Sequence, residues 1–164
     1  MPAVVSDTSP LIYLTRLGHF DWLRQMFGHV LIPPSVWSEL VNQGAAYPEA
    51  AQTKAAVEAG WIKVVSPTSA IPALRGLDPG EREAIALAKE LSALLIIDDA
   101  EGRREAVERG VQVVGTVGLL LEAKARGLVS TLRGELDRLA QETTFRISDE
   151  LRARVLQKAG ESEP

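Results

Sequence analysis

Val4-Val5-Ser6-Asp7-Thr8-Ser9-Pro10 is the stretch on which the reading of this chain turns. A short apolar run ends in an acid, two hydroxyl residues and a proline. A strand feeding straight into a helix has this form. Proline is tolerated in the first helical turn, where its missing N–H would be unpaired anyway. Ser9 is then expected as the N-cap, its oxygen accepting from a free helix N–H. Asp7 falls just past the strand's carboxyl end. In open α/β sheets that edge is where ligands bind.

The same alternation continues outward. Leu11, Leu14 and Leu17 recur at helical spacing before Gly18, and Phe20, Leu23 and Phe27 do so before Gly28. Val30-Leu31-Ile32 reads as a second strand, ended by Pro33-Pro34, and Ser35 is expected to cap a helix over 36–41. An Ala-rich helix over 47–59 precedes a third strand over 61–65, and 68–77 reads as a loop. Asp78-Pro79-Gly80-Glu81 is a helix start with a cap, a first-turn proline and a capping-box acid; Ile85, Ala88 and Leu91 form its expected apolar stripe. Leu94 to Ile97 is the most apolar strand and ends in Asp98-Asp99. A charged helix, a fifth strand at 111–114 and three further helices complete the chain. Continuous apolar strands alternating with helices imply a mostly parallel sheet covered on both faces. Residues 1–160 are expected to form one domain, with 161–164 a disordered tail.

Composition narrows the function. In 164 residues there is no cysteine, so no disulfide framework and no thiolate chemistry, and a cytoplasmic setting is expected. No apolar run approaches the roughly 20 residues of a membrane span. The net charge of −4 gives no overall attraction to nucleic acid. Any such role needs a local basic patch, or cations that neutralise a local acidic one. No glycine-rich phosphate loop is present: Gly115-Thr116-Val117-Gly118 is too short.

The acids carry the chemistry. Asp7 reads either as a cap on the following helix or as a ligand. Asp98 and Asp99 are adjacent, so only one is expected to be a cap. Glu39 alone is unremarkable on its helix, and Glu81 has a complete explanation in the capping box. Glu83, two residues on, points to another side of the same helix. If the strand order is 3-2-1-4-5, the ends of strands one and four are neighbours at the topological switch point. Several carboxylates converging there repel unless a divalent cation holds them, and hard oxygen ligands select Mg²⁺ or Mn²⁺. Phosphodiester hydrolysis is the usual chemistry of such a site.

Taken in order, Ser6-Asp7-Thr8-Ser9-Pro10-Leu11, Glu39, the stretch from Gly80 to Ala88, Ile97-Asp98-Asp99, Gly115-Thr116-Val117-Gly118-Leu119-Leu120 and Phe145-Arg146-Ile147-Ser148 resemble the PIN-domain ribonucleases, specifically small prokaryotic PIN-like proteins similar to VapC-type toxins. The resemblance implies an α/β, Rossmann-like parallel sheet of five strands in order 3-2-1-4-5 with helices on both faces. It implies a pocket of Asp7, Glu39, Glu81, Asp98 and Asp99, with Asp7, Asp98 and Asp99 holding one or two Mg²⁺ or Mn²⁺ ions. Glu83 is the competing third acid, and Thr8 and Thr116 match hydroxyl positions near the pocket. It further implies endonucleolytic cleavage of single-stranded RNA, a cognate antitoxin and a homodimer. The apolar supply of Phe20, Trp22, Leu23, Phe27, Trp37 and Tyr47 points the same way on assembly. Arg103 and Arg104, and later Lys124 and Arg126, are expected either on substrate phosphates or paired with nearby glutamates. Glu81 stands where the family commonly has Asp. That departure supports an alternative: a catalytically weak PIN-like protein that binds nucleic acid or a partner.

Overall fold

The structure, a computed structural model, describes residues 3–69 and 76–161. Five parallel strands form one sheet in the order β3-β2-β1-β4-β5. They are β1 Val4–Ser6, β2 Val30–Ile32, β3 Ile62–Val64, β4 Leu94–Ile96 and β5 Val113–Val114. Val5 pairs with Leu31 on one side and Leu95 on the other, so β1 is central and its neighbours lie at the switch point. All five strands therefore end at the same edge, as the sequence pattern implied. Most of the expected 68–77 loop lies outside the described residues.

Both faces are covered, and the two-residue period of the strands divides them. Val4, Ile32, Ile62 and Ile96 face the larger core, which includes Leu11 and Leu14 of α1 (Thr8–Arg16), Leu119 and Leu120 of α7 (Thr116–Ala125), and Leu132, Leu136 and Leu139 near or within α8 (Leu132–Glu142). Val5, Leu95 and Ile97 face the other side, against Ala84, Ile85, Leu87 and Ala88 of α5 (Pro79–Leu91) and Ala106 of α6 (Ala100–Glu108). Leu91, expected on the α5 stripe, is instead exposed near the helix end. Phe20, Trp22 and Leu23 are buried in the larger core, and Phe27 and Trp37 pack against it. Of the apolar supply that pointed to a dimer, Tyr47 alone is left exposed.

Local chemistry departs from expectation at three helix starts. Helix α1 begins two residues earlier than a Ser9 cap requires: Asp7 occupies the N-cap position and Pro10 the third helical position. Helix α3 (Pro34–Trp37) is capped in backbone geometry by Pro33, with Pro34 at N1, so Ser35 is inside the helix and is not its cap. It then widens into a π-helical turn over Ser38–Gln43, which carries Glu39. Such turns recur at functional sites. Helix α5 starts as expected, with the Asp78 carboxylate accepting from Glu81 N–H at 2.8 Å. At the other end of the chain, Glu161 is held rather than loose. Its carboxylate accepts from the main-chain N–H groups of Leu132 and Arg133 and from Lys124 Nζ.

Candidate active site

At the carboxyl edge of the sheet, Asp7 follows β1 directly, and its main-chain N–H donates to Ile96 O of β4 at 2.9 Å. Although Asp7 holds the N-cap position of α1, its carboxylate makes no capping hydrogen bond. The side chain is left to a cavity of about 290 Å³ lined, among the described residues, by six acids: Asp7, Glu39, Asp78, Glu81, Asp98 and Asp99. The rest of the lining is Thr8, Ser9, Tyr13, Thr144, Phe145 and Arg146. Three different helix starts and the π-turn thus deliver carboxylates to one place.

Both members of the adjacent pair are caps, contrary to expectation. Asp99 caps its own helix, its Oδ2 accepting from Gly102 N–H at 2.8 Å. Asp98 reaches across to α7, where Thr116 donates its main-chain N–H to Oδ1 at 2.8 Å and its hydroxyl to Oδ2 at 2.6 Å. The next helix start, not the same one, absorbs the second acid. Capping uses some lone pairs of each carboxylate and leaves others for the cavity.

Three glycines make the approach possible. A Cβ on Gly80 would lie 2.5 Å from Glu39 Oε1, and one on Gly115 would lie 2.8 Å from Asp98 Oδ1. A Cβ on Gly102 would lie 2.7 Å from Ile97 Cδ1 and 3.4 Å from Glu81 Oε2. Each glycine sits in or beside a helix first turn, so the carboxylates rest against bare backbone.

The electrostatics follow from burial plus crowding. Burial pushes the Asp7 carboxyl up to about 7; the Thr8 main-chain N–H opposes this, and Asp78, Glu39 and Asp98 add to it. Glu81 is pushed up to about 9 by burial first, then by the neighbouring carboxyls of Asp78, Asp99 and Asp7. Burial also raises Glu39 and Asp98, with the Thr116 hydroxyl and N–H holding Asp98 back. Glu81 Oε2 and Thr8 Oγ1 are buried with no hydrogen-bond partner. Unmet acceptors in an oxygen-only donor set suit a hard divalent cation. Among the described residues, however, no three acid or histidine side chains already stand at ligand spacing around one ion. The donors fit a cation in kind, and gathering them requires side-chain rotation.

The structure separates the two candidates for third acid. Glu81 lines the acidic cavity, whereas Glu83 turns away to α3, accepting from Ser35 N–H at 3.1 Å and from the Ser35 hydroxyl. Neither arginine of α6 lines the cavity. Arg103 lies behind Asp98, its Nη1 donating to Ile97 O at 3.2 Å. Arg104 is exposed and paired with Glu101, Glu105 and Glu108, the alternative left open by the helical spacing. Lys124 is held by Ser130 O and Glu161, and Arg126 by Glu122 and Met26 O. Sequence reasoning missed Asp78 as a pocket acid, because its capping role explained it fully. It also missed Tyr13, Thr144, Phe145 and Arg146. Phe145 packs edge-on against the Tyr13 ring at 5.2 Å, and among the described residues Arg146 is the one cation in the lining.

The chain's relatives agree with this architecture. No curated protein matches it. Among solved structures, a PilT N-terminus domain protein from the hyperthermophilic archaeon Sulfolobus solfataricus P2 is similar, with a TM-score of 0.51 and 24% identity over 75% of this chain and 93% of that one. At that identity the likeness speaks to the fold. The family model described as DUF3368, a PIN domain, matches residues 3–161. A parallel sheet in order 3-2-1-4-5 with its acids gathered at the switch point, matched from end to end by that model, makes this chain a member of the PIN-domain family.

Proposed function

We propose that the protein is a Mg²⁺- or Mn²⁺-dependent endoribonuclease acting on single-stranded RNA, the cytoplasmic toxin of a toxin–antitoxin pair. The observation that carries this reading is the buried, partnerless Glu81 Oε2 within a ring of six acids at the sheet's carboxyl edge. Asp7, Asp98 and Asp99 would hold the cation, with Glu39 and Glu81 completing the oxygen set. When bound, the cation supplies charge neutralisation, Lewis acidity toward a phosphate oxygen and activation of water.

The chain's own groups supply position and charge. Thr116 fixes the Asp98 carboxylate from two sides. Arg146 gives the cavity's rim a cation for a substrate phosphate. Tyr13 and Phe145 form an aromatic wall beside it. No His or Lys lines the cavity, so a side-chain base would have to be one of the carboxylates. In the same reading, a cognate antitoxin inhibits by placing an Arg or Lys among the acids. The homodimer then rests on the family resemblance, since most of the apolar supply is spent in the chain's own core.

A second reading, a PIN domain that binds without cutting, is favoured by the absence of a preformed three-ligand cluster among the described residues. Incubation of a mixed single-stranded RNA pool with Mn²⁺, with and without EDTA, separates the two. The nuclease reading expects cleavage that EDTA and Asp7→Asn both abolish. Cleavage surviving either treatment overturns it, and absence of cleavage together with weak or absent Mn²⁺ binding favours the second reading.

A further inference from the structure

A second cavity, about 470 Å³, adjoins the acidic one and shares Thr8 and Glu39 with it. Its far wall carries Tyr47, Arg16 and Glu49. Tyr47 is 57% exposed, although it is one of only two tyrosines in the chain. The other large apolar side chains exposed among the described residues, Val64, Leu91 and Val107, line neither cavity. The Tyr47 ring is held from one side: the Arg16 guanidinium lies 5.4 Å from its centroid. Arg16 is itself fixed, its Nε and Nη2 donating to the two oxygens of buried Glu49 at 3.1 and 3.0 Å. Held by Glu49 through two of its N–H groups, Arg16 serves as a brace under the ring.

We infer that Tyr47 is a stacking platform for one base of the single strand whose phosphodiester lies among the acids. The inference rests on the nuclease reading and deepens it. A braced aromatic ring with an open face, on a groove continuous with the acidic cavity, suits an unpaired base, since every base offers a π-face to stack. It also eases a charge problem. The acids repel a phosphate backbone until a cation neutralises them, so a contact that does not depend on charge adds affinity beside them.

The probe is a fluorescein-labelled single-stranded RNA of mixed sequence, 16 nucleotides in length by design. Its binding to the Asp7→Asn chain is followed by anisotropy in EDTA, so that no cleavage intervenes. Adding Tyr47→Ala is expected to weaken binding roughly 5- to 100-fold, the range for loss of one base–aromatic stack. Tyr47→Phe keeps the ring and is expected to restore binding. A duplex of the same sequence should compete poorly, because paired bases cannot stack there. Equal binding by the Tyr47→Ala and Tyr47 chains overturns the inference while leaving the nuclease reading intact. No binding of the single strand by either chain overturns the inference, and the nuclease reading is then decided by the Mn²⁺ cleavage assay alone. Unchanged RNA binding with loss of a co-purified protein partner overturns it in favour of a protein contact at the same ring.

Discussion

Thr116 grips both oxygens of Asp98, by its main-chain N–H at 2.8 Å and its hydroxyl at 2.6 Å, and so ties the end of β4 to the start of α7. Thr116 is fully buried. Thr116→Val keeps the shape and removes the hydroxyl, which leaves Asp98 Oδ2 without its donor. The expected cost is about 1.5–3 kcal/mol of stability, the usual worth of a hydrogen bond to a carboxylate. Losing the grip also lets the carboxylate swing, and misplacement of this kind lowers turnover roughly 10- to 100-fold. Thr116→Ser should recover most of both. Urea titration and RNA cleavage rates, measured on the same preparations, check the two halves separately.

Gly80 divides stability from function differently. It lies in the first turn of α5, where alanine normally favours a helix by about 0.5–1 kcal/mol. A Cβ there meets Glu39 Oε1 at 2.5 Å, the far end of a flexible side chain. Gly80→Ala is therefore expected to leave the melting temperature unchanged or slightly raised, while Glu39 is pushed aside and Mn²⁺ affinity falls. Calorimetry with Mn²⁺ alone reads the second effect without any RNA. A large loss of stability would show that Glu39 is pinned and not free to move.

Much of this was legible in the chain itself. Apolar runs alternating with helices point to a parallel sheet, which puts Asp7 and Asp98 at one edge, while the order that makes β1 and β4 neighbours was an implication of the family resemblance. Part of what was illegible has one physical cause: groups that satisfy each other across long sequence separations. The Glu83–Ser35 contact spans 48 residues, and the Asp98–Thr116 contact spans 18. Local capping rules gave Ser35 and Ser9 cap positions that Pro33 and Asp7 occupy, and left out the cap that Asp98 provides to α7. Asp78 was hidden for the opposite reason, since a correct local role left nothing to explain. Phe145 and Arg146 were visible as a matching stretch, but only the folded chain brings them to the cavity.

Glu81 and Glu83 are two residues apart and face different tasks. Glu83→Gln retains an oxygen that can accept from Ser35, so it should cost no more than about 1 kcal/mol and leave cleavage near its normal rate. Glu81→Gln removes a carboxylate that burial and its acidic neighbours already keep protonated near neutral pH when no cation is bound. Its cost to folding is accordingly small. Its cost to Mn²⁺ binding is large, because an amide cannot take the place of an anionic ligand. Paired measurements of Mn²⁺ affinity and urea midpoint test this. Equal loss of metal affinity in the two variants would make Glu83 a functional acid after all.

The raised carboxyls also set how the cation-free protein responds to pH. The folded chain holds Asp7 near 7 against an unfolded value of 3.8, and Glu81 near 9 against 4.5. Below the unfolded values both states are protonated, and these groups make no difference. As pH rises past about 4, the unfolded chain gives up protons that the folded chain keeps, so stability falls with pH. The Asp7 share of that fall is complete by about pH 7, and the Glu81 share continues toward pH 9. In EDTA, the urea midpoint is expected to drop steadily from pH 5 to pH 8. Asp7→Asn removes the titrating group and one repulsive charge, so its midpoint should fall less over that range and exceed that of the unsubstituted chain at pH 8. Mn²⁺ at pH 8 should raise the midpoint of the unsubstituted chain, since the cation binds the ionised folded form, and should do much less for Asp7→Asn. A midpoint that rises between pH 5 and pH 8 in EDTA would mean that these carboxyls are not desolvated in the folded chain.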